Sequence, residues 1–382
     1  MAVSASLLGA CGAQVLDVGS DGKIQGAGPA QNADPSKTSD GANASPTSAC
    51  IEVGATPKML AVPAKGNEVR ILVPDGQTLW LDGYQSVESA GPTQAMIGHL
   101  ASVPVAGGAP TQLELDRYRS IAGIFGGKLV YVRTTHQGSS SKEDPRVEEI
   151  VVRDRTTGAE EVLKNPRSTT FVGSVVVHPT GVYWLAREYS VAPQFIVRWN
   201  GATVTELTSL ENHSTLLTDG KDVFYSRYVQ TNGITDAIRI EGVPITGGAP
   251  RVLRSRPYDK TLFYQVAAVD ADEVYFTQES TTNNGTIGAG DLRAMKKDGS
   301  GERVLVSNER FSPASFRIDP DFASWTDQAA QQNIVRVRRS GGALERIEGL
   351  QGRWVSALAV DRCNIYWAID NPAQVYARSR LP

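Results

Sequence analysis

Along most of this chain, apolar and polar residues alternate with a period of two in short runs that end on Asp, Gly, Pro or Asn. Examples are VRILVPDG (69–76), SVVVHPTG (174–181), STLLTDGKD (214–222), VAAVDADE (266–273) and SALAVDRCN (356–364). Alternation of this kind, rich in β-branched residues and closed by turn formers, predicts a strand and a tight turn. Each turn leads into a second strand built around an aromatic: TLWLD (78–82), LVYVR (129–133), GVYWLAR (181–187), DVFYSR (222–227), EVYFTQ (273–278), FASWTD (322–327) and NIYWAI (364–369). Anchored on Trp80, Tyr131, Tyr183, Phe224, Tyr275, Ser324 and Tyr366, these runs recur at spacings of 51, 52, 41, 51, 49 and 42 residues.

Two further strands complete each unit. The third runs into Gly-Gly, Asn-Gly or Asp-Gly pairs, as in IGHLASVPVAGG (97–108) and AIRIEGVPITGG (237–248), which supply the positive φ angles of short hairpin turns. The fourth follows at once, as in PTQLEL (110–115), TVTELT (203–208) and ERVLVS (302–307). A repeat of roughly 40–50 residues with four strands per unit predicts an all-β, seven-bladed β-propeller of four antiparallel strands per blade. Only six fourth strands can be found after the seven aromatic ones. The seventh unit ends at Leu381-Pro382 without its own. An open blade edge exposes unpaired backbone groups, so the segment at about 56–63 (TPKMLAVP) is expected to complete the last blade and close the ring.

The units resemble the YWTD class of propeller repeat found in TolB-like and related bacterial envelope propellers. The residues that carry the likeness are VDADEVYFTQ…LRAMKKDGSGERVLVS (269–307), IDPDFASWTD…IVRVRRSGGALERI (318–347) and VDRCNIYWAID (360–370). The Asp of that motif, three positions past the anchor, is present only as Asp327; elsewhere the position holds Gly83, Thr134, Ala186, Arg227, Gln278 and Ile369. Degenerate repeats of this kind resemble lipidated or secreted bacterial propellers of unassigned activity.

The start of the chain has a different character. Leu8-Gly9-Ala10-Cys11 resembles a lipoprotein signal, with Cys11 as the residue that would carry lipid. Residues 12–49 are rich in Gly, Ala, Ser, Pro, Asn and Asp and hold no aromatic, so they cannot bury enough apolar surface to offset the entropy of ordering. The expected organisation is therefore a signal and lipidation site at 1–11, a disordered polar tether at 12–49 and the propeller at 50–382. Cys50 and Cys363 remain, one at the tether–propeller junction and one in the last blade, and are expected to form a disulfide. Together these features place the protein in the bacterial cell envelope, lipid-anchored and facing the periplasm or exterior, or secreted if Cys11 is not modified.

Charge narrows the partners. With 38 Lys and Arg against 41 Asp and Glu, the formal net charge is −3, and no basic stripe of the sort that binds nucleic acid is found. The membrane enters only through the N-terminal anchor, and a monomer is expected.

Propellers bind at the channel mouth, on the face made by the loops between second and third strands and between blades. Those loops are long in blades 1, 2, 4 and 5, and long loops on a regular scaffold are where function concentrates. Tyr84, Arg133, His136, Arg187, Arg227, Tyr228, Glu279 and Asp327 are the residues expected to line that face. No metal-ligand spacing, P-loop, GxGxxG or GxSxG is present, so neither cofactor nor metal is expected and the catalytic residues are unknown. The acidic turns DAD (270–272) and DPD (319–321) read as hairpin turns, and the tryptophans as packing between blades. The reading is an extracytoplasmic binding or scaffolding propeller for an envelope protein, peptide or glycan. The alternatives are a propeller enzyme, of the streptogramin-lyase type or glycan-active, with a site assembled from several blades, and a purely structural component of an envelope complex.

Overall fold

The computed structural model describes residues 52–63, 67–87, 95–115, 118–134, 147–165, 171–187, 194–210, 215–232, 234–259, 261–281, 287–311, 315–327, 333–347, 354–369 and 373–380. The expected signal, tether, Cys11, Cys50 and His136 lie outside these residues.

The chain enters through β1 (Lys58–Ala61). Blade 1 is β2 (Asn67–Asp75), β3 (Thr78–Val87), β4 (Ala95–Pro104) and β5 (Thr111–Leu113). Blade 2 is β6 (Tyr118–Phe125), β7 (Lys128–Thr134), β8 (Glu148–Arg153) and β9 (Glu160–Leu163). Blade 3 is β10 (Phe171–His178), β11 (Gly181–Arg187), β12 (Gln194–Trp199) and β13 (Val204–Leu210). Blade 4 is β14 (Leu217–Thr218), β15 (Asp222–Thr231), β16 (Ile234–Pro244) and β17 (Arg251–Pro257). Blade 5 is β18 (Leu262–Val269), β19 (Glu273–Thr281), β20 (Ile287–Lys296) and β21 (Arg303–Glu309). Blade 6 is β22 (Arg317–Ile318), β23 (Phe322–Thr326), β24 (Ile334–Arg338) and β25 (Glu345–Ile347). Blade 7 is β26 (Val355–Val360), β27 (Asn364–Ile369) and β28 (Gln374–Ser379), and its fourth strand is β1.

The fold is thus an all-β, seven-bladed propeller of seven four-stranded antiparallel sheets. No helix among the described residues is long and apolar enough to cross a membrane.

Burial explains the sequence pattern. Every residue of β23 and β27 is buried, because the second strand of a blade is covered by a neighbouring blade on both faces. Outer strands have one neighbour in their sheet and alternate instead, as β17 does. In blades 1, 3, 4, 5 and 7 the anchor aromatic faces the next blade and the residue after it faces the previous one, whereas Tyr131 of blade 2 lies in the core shared with blade 1. Tyr183 joins the core shared with blade 4, whereas Trp184 joins the core shared with blade 2. Five of the six tryptophans are buried to within 9 % exposure, four of them in these second strands.

β1 pairs antiparallel with β28, through Lys58 with Ala377 and Met59 with Tyr376. The expected 56–63 segment is shorter at both ends than its sequence run, but it lies where the missing edge required. Upstream of it, the Val53 N–H donates to Asn364 Oδ1 (3.2 Å), and the Ser379 N–H donates to the Gly54 carbonyl (2.7 Å). The repeat itself shows how well β1 substitutes for a fourth strand. Gly247, Gly299 and Gly341, all at positive φ, turn against the carbonyls of Leu207, Leu253 and Leu305 in the preceding blade's outer strand. Gly107 of blade 1 turns in the same way against Leu60 of β1. A Cβ at Gly299 would lie 2.4 Å from the Leu253 oxygen, so only glycine lets the turn approach this closely.

A polar element crosses the seams at the opposite end from the long loops. Five positions before the anchor stands an Asp in five blades: Asp75, Asp219, Asp270, Asp319 and Asp361. Four of them cap their own hairpin by accepting backbone N–H groups, as Asp270 does from Asp272 (2.7 Å) and Glu273 (2.8 Å). The DAD and DPD clusters are therefore turn caps, as their sequence suggested. Four of the five also meet a cation from the next blade: Asp75 with Arg155, Asp219 with Lys297, Asp270 with Arg339, and Asp319 with Arg380 (2.7 Å). The Arg339 Nε also donates to the Tyr275 hydroxyl (2.8 Å), which itself donates to Asp270 (2.9 Å).

Where one partner of such a seam is absent, the other is changed too or is differently occupied. Blade 2 has Phe125 and Gly126 in place of the acid, and Phe125 meets Gly201 of the blade 3 turn and packs on Trp199 there with ring centroids 5.1 Å apart. His178 of blade 3 stands where blade 4 offers Ile245; burial pushes its imidazole down to about 4, so it stays neutral. In blade 7, Asp361 caps its turn through the Cys363 and Asn364 N–H groups and accepts from the Tyr366 hydroxyl (2.7 Å), while the position of the seam cation in blade 1 holds Val105.

The seam pairs are testable. The Asp270 and Arg339 side chains are 10 % and 26 % exposed, whereas the Glu68–Arg70 pair is 54 % and 45 % exposed. A double-mutant cycle with Asp270→Asn and Arg339→Met, read by urea unfolding, should give a coupling of about 1–3 kcal/mol. The same cycle at Glu68 and Arg70 should give less than about 1 kcal/mol. Equal couplings would show that the seam pair is no more than a surface contact.

Candidate functional site

One face of the ring collects the starts of the first strands, the ends of the second, the starts of the third and the ends of the fourth. Seven of the eight residues expected to line it can be located one by one; His136 lies outside the described residues.

Arg133, in β7, is tied to Glu149 at 2.7 Å and lies 3.6 Å from Glu160, which also accepts from the Tyr131 hydroxyl. Arg227, in β15, lies 2.9 Å from the Glu241 carboxylate, which is buried and also receives the Tyr225 hydroxyl. Asp327, just after β23, is paired with Arg346 at 2.9 Å. Tyr228 packs edge-on against Tyr258 (5.4 Å) and near Phe263 (6.3 Å), and burial raises its hydroxyl well above the usual tyrosine range. Tyr84 sits in β3 opposite Gly98. The structure does not gather these groups in one cluster; they are distributed over blades 1 to 6.

Arg187 is different. It ends β11, its guanidinium carbon lies 4.0 Å above the Phe171 ring, and it makes neither an ion pair nor a hydrogen bond among the described residues. Phe171 opens β10 and has a second guanidinium, that of Arg119, 5.9 Å away. Arg119 is neutralised by Glu148, which is buried and accepts the Val172 N–H (3.1 Å). This cluster therefore joins blades 2 and 3 at the inner strands.

Glu279, in β19, is 1 % exposed, and neither carboxylate oxygen has a hydrogen-bond partner among the described residues. Burial raises its carboxyl to about 7, offset in part by the Thr277 hydroxyl on the same side of the strand. Asp82 is likewise raised to about 7 by burial, but it is fully engaged. It receives the Tyr118 hydroxyl at 2.6 Å and the Ile121 N–H at 3.3 Å, both from blade 2. The sequence search singled out Glu279 but not Asp82, whose signal was only a charged residue amid an apolar strand.

Trp354 departs from the reading of the tryptophans as blade packing. It lies one residue before β26, outside the covered strand, and is 58 % exposed on the long-loop face. Of the histidines, His99 is buried in β4 and pushed down by that burial, and His178 belongs to a turn on the other face. Among the described residues there is no group of three or more side chains able to hold a metal ion.

No family model matches the sequence, and no curated protein matches it. Solved structures do match in fold. The β-propeller domain of the Trilobed protease from Pyrococcus furiosus, described as having an open velcro topology, aligns with a TM-score of 0.60 at 10 % identity. That alignment covers 82 % of this chain and 96 % of that one. A puromycin hydrolase mutant complexed with PGG aligns at a TM-score of 0.57 and 12 % identity, over 81 % of this chain and 53 % of that chain. A puromycin-hydrolyzing peptidase from Mycobacterium tuberculosis aligns at 0.52 and 11 %, over 87 % and 54 %. This chain thus spans about half the length of those two enzymes. At such identities the likeness concerns the propeller fold alone.

The raised Glu279 carboxyl has a consequence for stability. In the unfolded chain a glutamate titrates near 4.5, whereas in the fold this one titrates near 7. Between those values the unfolded state releases a proton that the folded state keeps, so stability falls as pH rises through 4.5 to 7 and levels off above. Glu279→Gln should match the parent at pH 4.5 and exceed it at pH 8 by roughly 3 kcal/mol in urea unfolding. A constant difference between the two proteins across that range would show that Glu279 titrates normally.

Proposed function

We propose that this protein is an extracytoplasmic binding propeller, tethered through its N-terminus, that recognises a protein, peptide or glycan on its long-loop face. The observation that carries this reading is the contrast between the two faces. On the turn face, Arg155, Lys297, Arg339 and Arg380 are consumed by seam pairs. On the long-loop face, Arg187 has no acidic partner among the described residues and Trp354 is largely exposed. Exposed tryptophan and arginine are the side chains most enriched at the energetic centres of interfaces.

The tether reading gains support from the way the chain enters the fold. Val53 and Gly54 bond to Asn364 and Ser379, at the turn end of blade 7. A lipid on Cys11 would then join the propeller at this end, with the polar segment 12–49 between them. Cys363 is disulfide-bonded, and Cys50, three residues before Val53, is the partner we assign to it. Such a bridge fits an oxidising compartment.

Two measurements test these statements. Full-length protein with Cys11→Ser should capture a partner from envelope extracts. That capture should be lost with Arg187→Glu or Trp354→Ser and kept with Lys221→Glu on the turn face. Loss by the turn-face variant alone would reverse the assignment of faces. Metabolic labelling with a fatty-acid analogue should mark the parent and not Cys11→Ser; equal labelling would remove the anchor.

A further inference from the structure

Arg187 on the long-loop face has no ion-pair partner among the described residues, and its surroundings define what it would bind. The Arg187 guanidinium carbon lies 4.0 Å from the Phe171 ring centroid, so the ring covers one side of the group, and the planar fork has N–H donors left to offer. Among the described residues those donors meet no acceptor. This half-buried charge has lost part of its hydration without gaining a counter-ion, a combination that favours an incoming anion.

The charge balance nearby selects the kind of anion. Arg119 and Glu148 cancel each other, and the Glu148 side chain is 0 % exposed, so it is a fixed negative charge beneath the site. Counting Arg119, Glu148 and Arg187 leaves a net of one positive charge. A monoanion neutralises that charge, whereas a dianion would leave an excess negative charge next to Glu148. Geometry points the same way, since the planar fork of an arginine held by stacking matches the two oxygens of a carboxylate. Phe171 provides an apolar surface beside it for the carbon chain that bears the carboxylate.

We propose that Arg187, stacked on Phe171 and flanked by Arg119, is a carboxylate-recognition site for an acidic peptide. The proposal rests on the long-loop face being the recognition face and adds the chemistry of what is recognised. The peptide carboxylate has two sources, an Asp or Glu side chain and a free C-terminus, and both are within the chemistry of the site.

The test uses three pentapeptides on the full-length Cys11→Ser protein: Ac-Gly-Gly-Asp-Gly-Gly-NH2, Ac-Gly-Gly-Gly-Gly-Gly-OH and Ac-Gly-Gly-Gly-Gly-Gly-NH2. Binding is followed by the arginine side-chain Nε–H resonances in NMR, with Arg187 assigned by its loss in Arg187→Lys. One or both carboxylate peptides should shift the Arg187 signal, the blocked amide should not, and the responding peptide identifies the source. Affinity for that peptide should fall about tenfold or more in Arg187→Gln. Arg187→Lys, which keeps the charge without the fork, and Phe171→Leu, which keeps the apolar contact without the ring, should fall in between. An equal response to the blocked amide, stronger binding of inorganic phosphate, or undiminished binding by Arg187→Gln at unchanged thermal stability would each overturn the proposal. Silence of all three peptides would overturn it as well. The capture experiment would then still decide separately whether this face recognises a partner.

Discussion

Everything in this molecule depends on seven sheets packing face to face until the seventh meets the first. Each seam must bury large side chains from both sides, and in five blades the anchor aromatic does so by facing the next blade while its neighbour faces the previous one. Dry packing of this kind is strong but poor at fixing how far one sheet slides over the next, because apolar contact is non-directional. The turn-face pairs supply direction. An aspartate that already orders its own hairpin also holds a cation from the following blade, so the end of each such seam is set by charge-assisted geometry. The two seams without an acid in this position support that account. At one of them Phe125 meets Gly201 and packs on Trp199; at the other a histidine kept neutral lies against Gly220 of the blade 4 turn. In neither seam is a charge left buried opposite an apolar partner, which would be costly.

Closure is the second half of the same constraint. A ring assembled from identical units has one seam where the chain ends meet, and here β1 supplies the outer strand that β28 lacks. This is an intramolecular answer to the open edge, and it makes the two ends of the described chain interdependent. Blade 1 turns at Gly107 against Leu60 of that borrowed strand just as later blades turn against their predecessor's own leucine. The hydrogen bonds of Val53 and Gly54 extend the attachment beyond the strand itself.

Much of this was legible from residues alone. The aromatic spacing gave the blade count, the shortage of fourth strands gave the closure, and DAD and DPD read correctly as turns because Asx-type capping is local chemistry. The polar network was not read. Attention to the YWTD likeness directed the search three residues past the anchor, where only Asp327 remains, while the aspartates that matter stand five residues before it. Their partners are about 60 to 80 residues away in the next blade, a distance at which no sequence window shows a pair. The site was the least legible part. Arg133 and Arg227 have the same side-chain chemistry as Arg187, yet each is held by a carboxylate of the neighbouring strand. What distinguishes Arg187 is the lack of such a neighbour among the described residues, a property of three-dimensional placement. Trp354 was grouped with the core tryptophans because a repeat suggests equal roles, but it falls one residue outside the covered strand.

The two faces therefore answer to different demands, and the point of chain entry links them. Groups on the turn face are committed to holding blades in register, and the chain enters the fold there. The opposite face is freed from that duty, because the inner strands at that end are already fixed by buried groups such as Asp82 and Glu148, each of which accepts a backbone N–H from the next blade. A fold that secures its seams from below and from within can leave a cation and an aromatic uncommitted above. That division explains why a binding site can lie on so regular a scaffold without a motif: it needs only one position where the scaffold's usual pairing is withheld. In this chain that position is Arg187 over Phe171.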